Sequence, residues 1–143
     1  MVQVRLAEDQ AGLRACLRLR WTVFVGEQKV PPSLEVDEHD SSGAVHALAM
    51  LDGVPAGTGR FVLIGPGLAQ IGRMAVIDRA RGKGIGIALL RFLEDEALGR
   101  GARRFTLNAQ VSARRFYEKA GYQAVGEVFD DAGIPHVRMD RTA

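Results

Sequence analysis

Short apolar runs alternate with longer helical patterns along the chain, and this alternation predicts an α/β fold. The first strand is predicted over Val2–Leu6, where apolar and polar positions alternate. A long amphipathic helix is predicted from Glu8 to about Gln28. Pro31 and Pro32 follow this helix closely, and the acidic, polar segment 33–43 is predicted to be a loop.

The rest of the chain is predicted to form six short strands and two further helices. Glycine and proline turns separate the apolar runs, and the first such turn, Asp52-Gly53-Val54-Pro55, is typical of a hairpin. Ser112 is predicted to cap the second of these helices, and Gly121 to end it. The predicted strands are Val45–Leu51, Ala56–Ile64, Ala69–Ile77, Arg103–Ala109, Tyr122–Phe129 and Pro135–Arg141, and the helices are Ile85–Leu98 and Ser112–Ala120. The element order is therefore β-α-β-β-β-α-β-α-β-β.

A glycine-rich segment, Arg81–Gly86 with the sequence R-G-K-G-I-G, joins a predicted strand to a predicted helix. Glycines that open a helix expose unpaired N–H groups at the positive end of its dipole, which favours a phosphate or pyrophosphate ligand. Neither a Walker A loop nor a dinucleotide fingerprint fits the spacing. Arg79 and Lys83 add positive charge beside the loop.

Two motifs resemble the GCN5-related N-acetyltransferase (GNAT) superfamily. Arg81, Gly84 and Gly86 fit the pattern [Q/R]-x-x-G-x-[G/A] of its acetyl-CoA pyrophosphate loop. Phe116–Tyr122, F-Y-E-K-A-G-Y, is similar to the family signature F-Y-E-K-x-G-[FY] and lies downstream of the loop. With Val23–Gln28, the chain resembles the small ElaA-type branch. The resemblance implies one N-acetyltransferase domain over residues 1–143 with the GNAT acyl-CoA N-acyltransferase fold, a mixed central sheet flanked by helices.

The resemblance also implies an acetyl-CoA site. Backbone N–H groups of the loop would bind the pyrophosphate, and Arg81 and Lys83 would add charge. The strand that ends near Val76 would separate from the Arg103–Ala109 strand at a bulge, so that the pantetheine arm pairs in the gap. Gln110 stands where the family often has asparagine. The expected cofactor-binding residues are Met74, Ala75, Val76, Arg81, Gly82, Lys83, Gly84, Ile85, Gly86, Gln110 and Tyr117.

Acetyl transfer requires groups that move protons, and the resemblance implies one of them. Tyr117 is expected to be the general acid, since a phenol keeps its proton at neutral pH and can donate it to a departing thiolate. Glu27 is the first choice for the general base, directly or through a water. Further candidates for this base are His136, His46, Glu35, Asp37 and Asp40. Arg60 and Arg73 would either bind an acidic acceptor or pair with the acids of the loop Asp37–Asp40.

Composition and charge narrow the remaining function classes. The formal net charge of +2 comes largely from dispersed arginines without interleaved aromatics, which argues against nucleic-acid binding. No apolar stretch approaches the length of a membrane span, and no signal peptide is visible. The lone Cys16, predicted to be buried, suits a reducing cytoplasm. Three histidines and one cysteine show no metal-ligand spacing.

We therefore expect a cytoplasmic, acetyl-CoA-dependent N-acetyltransferase without a metal. It would transfer the acetyl group to a primary amine of a small molecule or protein by direct attack in a ternary complex. A non-catalytic acyl-CoA-binding or sensor module of the same fold is the alternative. The resemblance also allows for a homodimer.

Overall fold

The computed structural model describes residues 1–31 and 43–143. None of the helices within these two ranges is both long enough and apolar enough to cross a bilayer. The strands are β1 (Val2–Leu6), β2 (Ala44–Leu51), β3 (Val54–Gly65), β4 (Leu68–Val76), β5 (Arg104–Gln110), β6 (Gln123–Asp131) and β7 (Ile134–Thr142). The α-helices are α1 (Gln10–Arg20), α2 (Ile85–Gly99) and α3 (Arg114–Lys119), and a π-helix (Trp21–Glu27) continues α1.

The described strands form one mixed sheet in the order β1-β2-β3-β4-β5-β7-β6. The central pair, β4 and β5, is parallel, while the other neighbours are antiparallel. Consecutive buried positions on the central strands, such as Ala47–Ala49 on β2, show that helices cover both faces of the sheet. The α/β class and the mixed sheet predicted from the sequence are confirmed.

Close packing of α2 on the sheet depends on glycine in β3. A Cβ atom at Gly57 would lie 2.9 Å from Ile85 Cγ2, 3.0 Å from Leu89 Cδ1 and 3.2 Å from the Ala75 carbonyl oxygen. These distances are below ordinary van der Waals contact. Gly57 therefore sets how closely the helix that follows the glycine loop approaches the strands beneath it.

The long N-terminal helix differs from its prediction. It begins at Gln10, because the Asp9 side chain caps it by accepting a 2.7 Å hydrogen bond from Gly12 N–H. After Arg20 it changes to the wider π-helix, in which Gln28 N–H donates to the Val23 carbonyl over 2.9 Å. π-Helical turns within α-helices are frequent at functional sites.

The segment before α3 was also predicted wrongly in part. Strand β5 continues to Gln110 and a 3₁₀ turn occupies Val111–Ala113, so Ala113 stands at the N-cap in place of Ser112. The helix end agrees with its prediction, because Gly121 follows it with a φ of +100°. Cys16 is fully buried, as predicted.

We expect Gly57→Ala to lower the free energy of unfolding by about 1–3 kcal/mol, because its methyl group forces Ile85 and Leu89 away from the sheet. Urea unfolding followed by circular dichroism measures this. Gly65→Ala is the matched control, since no heavy atom of the described residues lies within 4 Å of a Cβ there. Both variants lose the same backbone freedom in the unfolded chain, so equal changes in stability would contradict the packing argument.

Candidate functional site

The two central parallel strands pair along only part of their length. Leu68–Ile71 of β4 are in register with Arg104–Leu107 of β5. Beyond these four pairs the two strands diverge, because the end of β4 stays paired with β3 and the end of β5 stays paired with β7. The divergence leaves a V-shaped opening, in which backbone polar groups on the inner edges of β4 and β5 have no strand partner in the described chain.

A β-bulge in β4 lies at this opening. Gly72 is in register with Arg60 of β3, whereas Ala75 is in register with Thr58, so Arg73 and Met74 together stand opposite one residue. Arg73 has a φ of +52°, which is uncommon for a residue other than glycine. The separation of the strands at a bulge, expected from the family resemblance, is confirmed.

A cavity of about 680 Å³ fills the opening, and it gathers most of the residues selected from the sequence. Its lining includes polar and charged groups from the π-helix, β3, β4, β5, α3, β6 and β7. The predicted residues in its wall are Glu27, Arg60, Arg73, Met74, Ala75, Val76, Arg81, Gln110, Tyr117 and His136. His46, a further candidate base, is buried in β2 and lines neither this cavity nor the one beside it.

A second cavity, of about 300 Å³, adjoins the first and surrounds the glycine loop. Val76 and Arg81 line both cavities, so the two are neighbours that share part of their walls. The other predicted residues in the wall of the second cavity are Gly82, Gly84, Ile85 and Gly86, and Phe116 also lines it. Lys83 is exposed on the same loop but does not line the cavity.

The glycine loop leaves the first turn of α2 open. Gly84 is the N-cap, with a φ of +79°, and provides no side chain to bond the first N–H groups of the helix. Gly82 has the same positive φ of +79°. A Cβ atom at either glycine would meet no heavy atom of the described residues within 4 Å. The loop therefore presents unpaired donors and open space, the arrangement that binds an anionic group at a helix N-terminus.

The π-helix brings Glu27 to the edge of the loop. Both Glu27 carboxylate oxygens accept hydrogen bonds from the Arg81 guanidinium, each over 2.7 Å. Arg81 Nε also donates to the Val76 carbonyl over 3.0 Å. Hydrogen bonding to Arg81 holds the pKa of Glu27 below its ordinary value. A carboxylate held in this way is ionised near neutral pH but is a weaker proton acceptor than a free one.

The next residue, Gln28, contacts the opposite wall. Gln110 Nε2 donates to Gln28 Oε1 over 2.8 Å, and Gln28 Nε2 donates to Gln110 Oε1 over 3.4 Å. The end of the π-helix is thus bonded to the loop through Glu27 and to the end of β5 through Gln28. Because an amide has two N–H donors and two acceptor sites, Gln110 keeps one of each for a ligand.

Tyr117 stands in the wall of the larger cavity, with its side chain almost entirely buried. Its ring packs edge-on against the rings of Phe116 and Tyr122, at centroid distances of 5.0 Å and 5.9 Å. Burial raises the pKa of Tyr117 to about 12. The phenol therefore keeps its proton through the neutral range, which is the form that a general acid needs.

His136 lines the cavity from β7, where it is in register with Gln110. Its Nδ1 lies 2.7 Å from the Ile134 carbonyl oxygen, which can only accept a hydrogen bond. In the neutral ring the proton is therefore on Nδ1, and Nε2 carries the lone pair. Within residues 1–31 and 43–143 no hydrogen-bond partner is found for Nε2. The imidazole also stacks on Phe129 at 6.0 Å.

Two arginines form part of the cavity wall on neighbouring strands. Arg60 of β3 is largely buried and Arg73 of β4 is half-buried. The acids considered as their partners or as bases, Glu35, Asp37 and Asp40, lie outside the described residues. Among the residues that are described, no group of three or more histidine, cysteine or acidic side chains is arranged to hold a metal ion.

Some residues of the site escaped the sequence analysis. Gln28, Asn108 and Ala132 line the cavity, yet none was predicted as a site residue. Asn108 could have been found from its place on the strand before Gln110, because the sequence predicted that this strand borders the gap. Gln28 and Ala132 carried no local signal, since their positions depend on the π-helix and on the β6–β7 turn.

Comparison with known proteins identifies close relatives over nearly the full length of the chain. A family model described as an acetyltransferase (GNAT) domain matches residues 8–143. The uncharacterised N-acetyltransferase YjcF of Bacillus subtilis is 37% identical over 136 residues, which cover 94% of this chain and 95% of that protein. Protein ElaA of Escherichia coli is 32% identical over 133 residues, covering 90% and 86% of the two chains.

Solved structures agree with this grouping. The crystal structure of Escherichia coli ElaA matches with a TM-score of 0.87 at 27% identity, covering 99% of both chains. An acyl-CoA N-acyltransferase from Pseudomonas aeruginosa matches with a TM-score of 0.82 at 33% identity and the same coverage. An aminoglycoside 6′-N-acetyltransferase complexed with coenzyme A shares the fold, with a TM-score of 0.75 at 17% identity over 99% of this chain and 96% of that one.

Proposed function

The chain belongs to the GNAT acetyltransferase family, and on that premise we propose that it is an acetyl-CoA-dependent N-acetyltransferase. In this proposal it transfers the acetyl group to a primary amine by direct attack in a ternary complex. One observation carries it: the cavity between the separated strands adjoins the cavity at the open helix N-terminus of the glycine loop, and Tyr117 stands in the wall of the larger one. An elongated, phosphorylated thioester could extend across both.

Acetyl-CoA would bind through two chemically different parts, the pyrophosphate and the pantetheine arm. The pyrophosphate would accept hydrogen bonds from the N–H groups of Gly82–Gly86, with charge from Arg81 and Lys83. The pantetheine arm carries amides, and these would pair with the free backbone edge of β4 in place of the missing strand. Gln110 has one donor and one acceptor left for the same arm.

The transfer step would then run between β4 and Tyr117. The amine nitrogen attacks the thioester carbon, and the carbonyl oxygen becomes negatively charged as the C–N bond forms. Backbone N–H groups near Met74, Ala75 and Val76, beside the bulge, would stabilise this oxyanion. Collapse of the intermediate breaks the C–S bond, and the departing sulfur takes the proton of the Tyr117 hydroxyl. The phenolate regains a proton from solvent, to which the base releases the proton that it took from the amine. The product is an N-acetylated amine and free coenzyme A.

The amine must also lose a proton, and two side chains of the cavity could accept it. Glu27 was the choice from the sequence, but both of its oxygens are bonded to Arg81, which makes it a weak acceptor. We propose His136 in this role, with Glu27 as the alternative. Support for His136 comes from the bond between Nδ1 and the Ile134 carbonyl, which leaves the Nε2 lone pair for the amine or an intervening water.

The proposal about the amine acceptor rests on the positively charged side chains in the cavity wall. Arg60 and Arg73 together with His136 would suit an amine that also carries an acidic group. The acceptor would be a small molecule or a protein that carries such a primary amine. We also place the activity in the cytoplasm, where the single, buried Cys16 would stay reduced.

We expect Gly84→Glu to abolish acetyl-CoA binding, because it puts a carboxylate where the pyrophosphate should lie. Calorimetric titration with acetyl-CoA measures this, with ATP and NAD as ligands that should not bind. Gly101→Glu is the matched control, since Gly101 follows the other end of α2 with a φ of +99° and equally open surroundings. Normal binding by the Gly84 variant would remove the loop from the cofactor site.

Tyr117→Phe should lower kcat by on the order of 10²–10⁴-fold with an unchanged Kd for acetyl-CoA, because it removes only the donated proton. Coenzyme A release with a panel of small primary amines and lysine peptides measures kcat. Equal turnover by the variant and the wild type would exclude Tyr117 as the acid. Tight acetyl-CoA binding by a wild-type protein that acetylates no amine of the panel would instead favour the non-catalytic acyl-CoA-binding alternative.

The base is tested by two variants that each keep part of the hydrogen bonding of the native side chain. His136→Asn retains an N–H donor for the Ile134 carbonyl but removes Nε2, so we expect kcat to fall by at least about 100-fold. Glu27→Gln should change kcat much less. The opposite order of effects would restore Glu27 as the base and reduce His136 to an acceptor contact.

A further inference from the structure

A buried carboxylate lies behind the cavity, on the helix that begins at the glycine loop. Glu94 of α2 is 2% exposed. A charge buried to this degree is unfavourable unless both oxygens are bonded. Oε1 accepts a 2.7 Å hydrogen bond from Arg91 Nη1, and Oε2 accepts a 2.6 Å bond from the Tyr122 hydroxyl and lies 3.2 Å from Arg141 Nη1. The carboxylate is therefore fully paired.

This cluster reaches the helix that carries Tyr117 by two routes. Arg91 Nη2 donates to the Ala120 carbonyl, at the C-terminal end of α3, over 3.1 Å. Tyr122, whose hydroxyl is bonded to Glu94, packs its ring edge-on against the Tyr117 ring. Tyr122 N–H also donates to the Tyr117 carbonyl over 3.0 Å. Glu94 itself does not line the cavity, so any effect on the reaction must pass through these contacts.

Helix α3 needs such external support because it is short. It has six residues, Arg114–Lys119, and no side-chain cap at its first turn. A single helical turn is unstable on its own, since too few hydrogen bonds offset the cost of fixing the backbone. The hydroxyl of Tyr117 must nevertheless be held within a fraction of an ångström to give its proton to a particular sulfur atom.

We infer that Glu94 and Tyr122 are positioning residues for Tyr117. The buried carboxylate fixes the Tyr122 ring and the end of α3, and these two contacts fix the phenol. Because Glu94 stands on the helix that starts at the glycine loop, the proton donor is held relative to the same element that would bind the cofactor. The inference rests on the proposed role of Tyr117 as the general acid.

Two mild variants test the inference on the whole protein. Tyr122→Phe keeps the ring against Tyr117 but removes the bond to Glu94, and Glu94→Gln keeps the shape but removes the charge. We expect each to lower kcat by about tenfold or more, while Kd for acetyl-CoA stays within about twofold of the wild type. Glu96→Gln is the control, because this residue of α2 pairs with Arg100 at 3.9 Å near the surface and should leave kcat unchanged.

A spectroscopic signature separates positioning from support of the fold. The chain has two tyrosines, so 3-fluorotyrosine labelling gives two fluorine resonances, which Tyr122→Phe assigns. Well below the melting temperature, Glu94→Gln should shift or broaden the Tyr117 signal, and Glu96→Gln should leave it in place. A variant that lowers only the melting temperature, with kcat and the Tyr117 signal unchanged, would overturn the inference.

Failure of the proposed function would look different. If the wild-type protein acetylated no amine, the assignment of Tyr117 as the acid would be lost, yet the fluorine signal would still report whether Glu94 holds the ring. A Tyr117 signal that moves in Glu94→Gln supports the positioning contact in that case. A signal that does not move rejects it.

Discussion

The candidate site exists because strands β4 and β5 leave part of the backbone hydrogen bonding between them unmade. Strands β4 and β5 are both held on their outer edges, β4 by β3 and β5 by β7, but they pair with each other along four residues only. Backbone N–H and C=O groups that are buried need partners, so an opening in the middle of a sheet is stable only if water or a ligand takes the place of the missing strand. The bulge at Arg73 and Met74 maintains the opening, because it turns β4 away from β5 at the point of divergence.

The remaining elements are arranged around this opening. Helix α2 lies on the sheet as closely as Gly57 permits, which places the glycine loop at the mouth of the V. Helix α3 follows β5 and brings Tyr117 into the other wall. The π-helix closes the third side, since Glu27 is bonded to the loop and Gln28 to the end of β5. The glycine loop, Tyr117 and Glu27 are therefore held by one framework.

Local patterns were enough to predict the strands, the helix after the loop and the loop itself. Alternation of apolar residues predicted the strand ends within one or two positions. The glycines of Arg81–Gly86 could be recognised as a loop because they stand where a helical pattern begins. The π-helix was missed, since its wider turn gives no distinct periodicity over seven residues. Ser112 was a reasonable cap by composition, but the longer β5 moved the start of α3 past it.

Contacts between distant residues could not be predicted in the same way. The pairing of Glu27 with Arg81 joins positions 54 apart, and that of Glu94 with Tyr122 joins positions 28 apart. Each is set by how the helices pack on the sheet, and the residue types alone do not reveal it. Glu94 is the clearest case, because an acid inside an amphipathic helix pattern is expected on the solvent side.

The pair formed by Gln28 and Gln110 has a consequence for how this sequence can vary through evolution. An asparagine at position 110 would have a side chain one methylene shorter than that of Gln110. With asparagine there, the reciprocal bond across 82 positions of sequence would lose its reach, and position 28 would be freed from its amide partner. The two sites should therefore covary, so that descendants of this chain exchange residues 28 and 110 together or keep both glutamines.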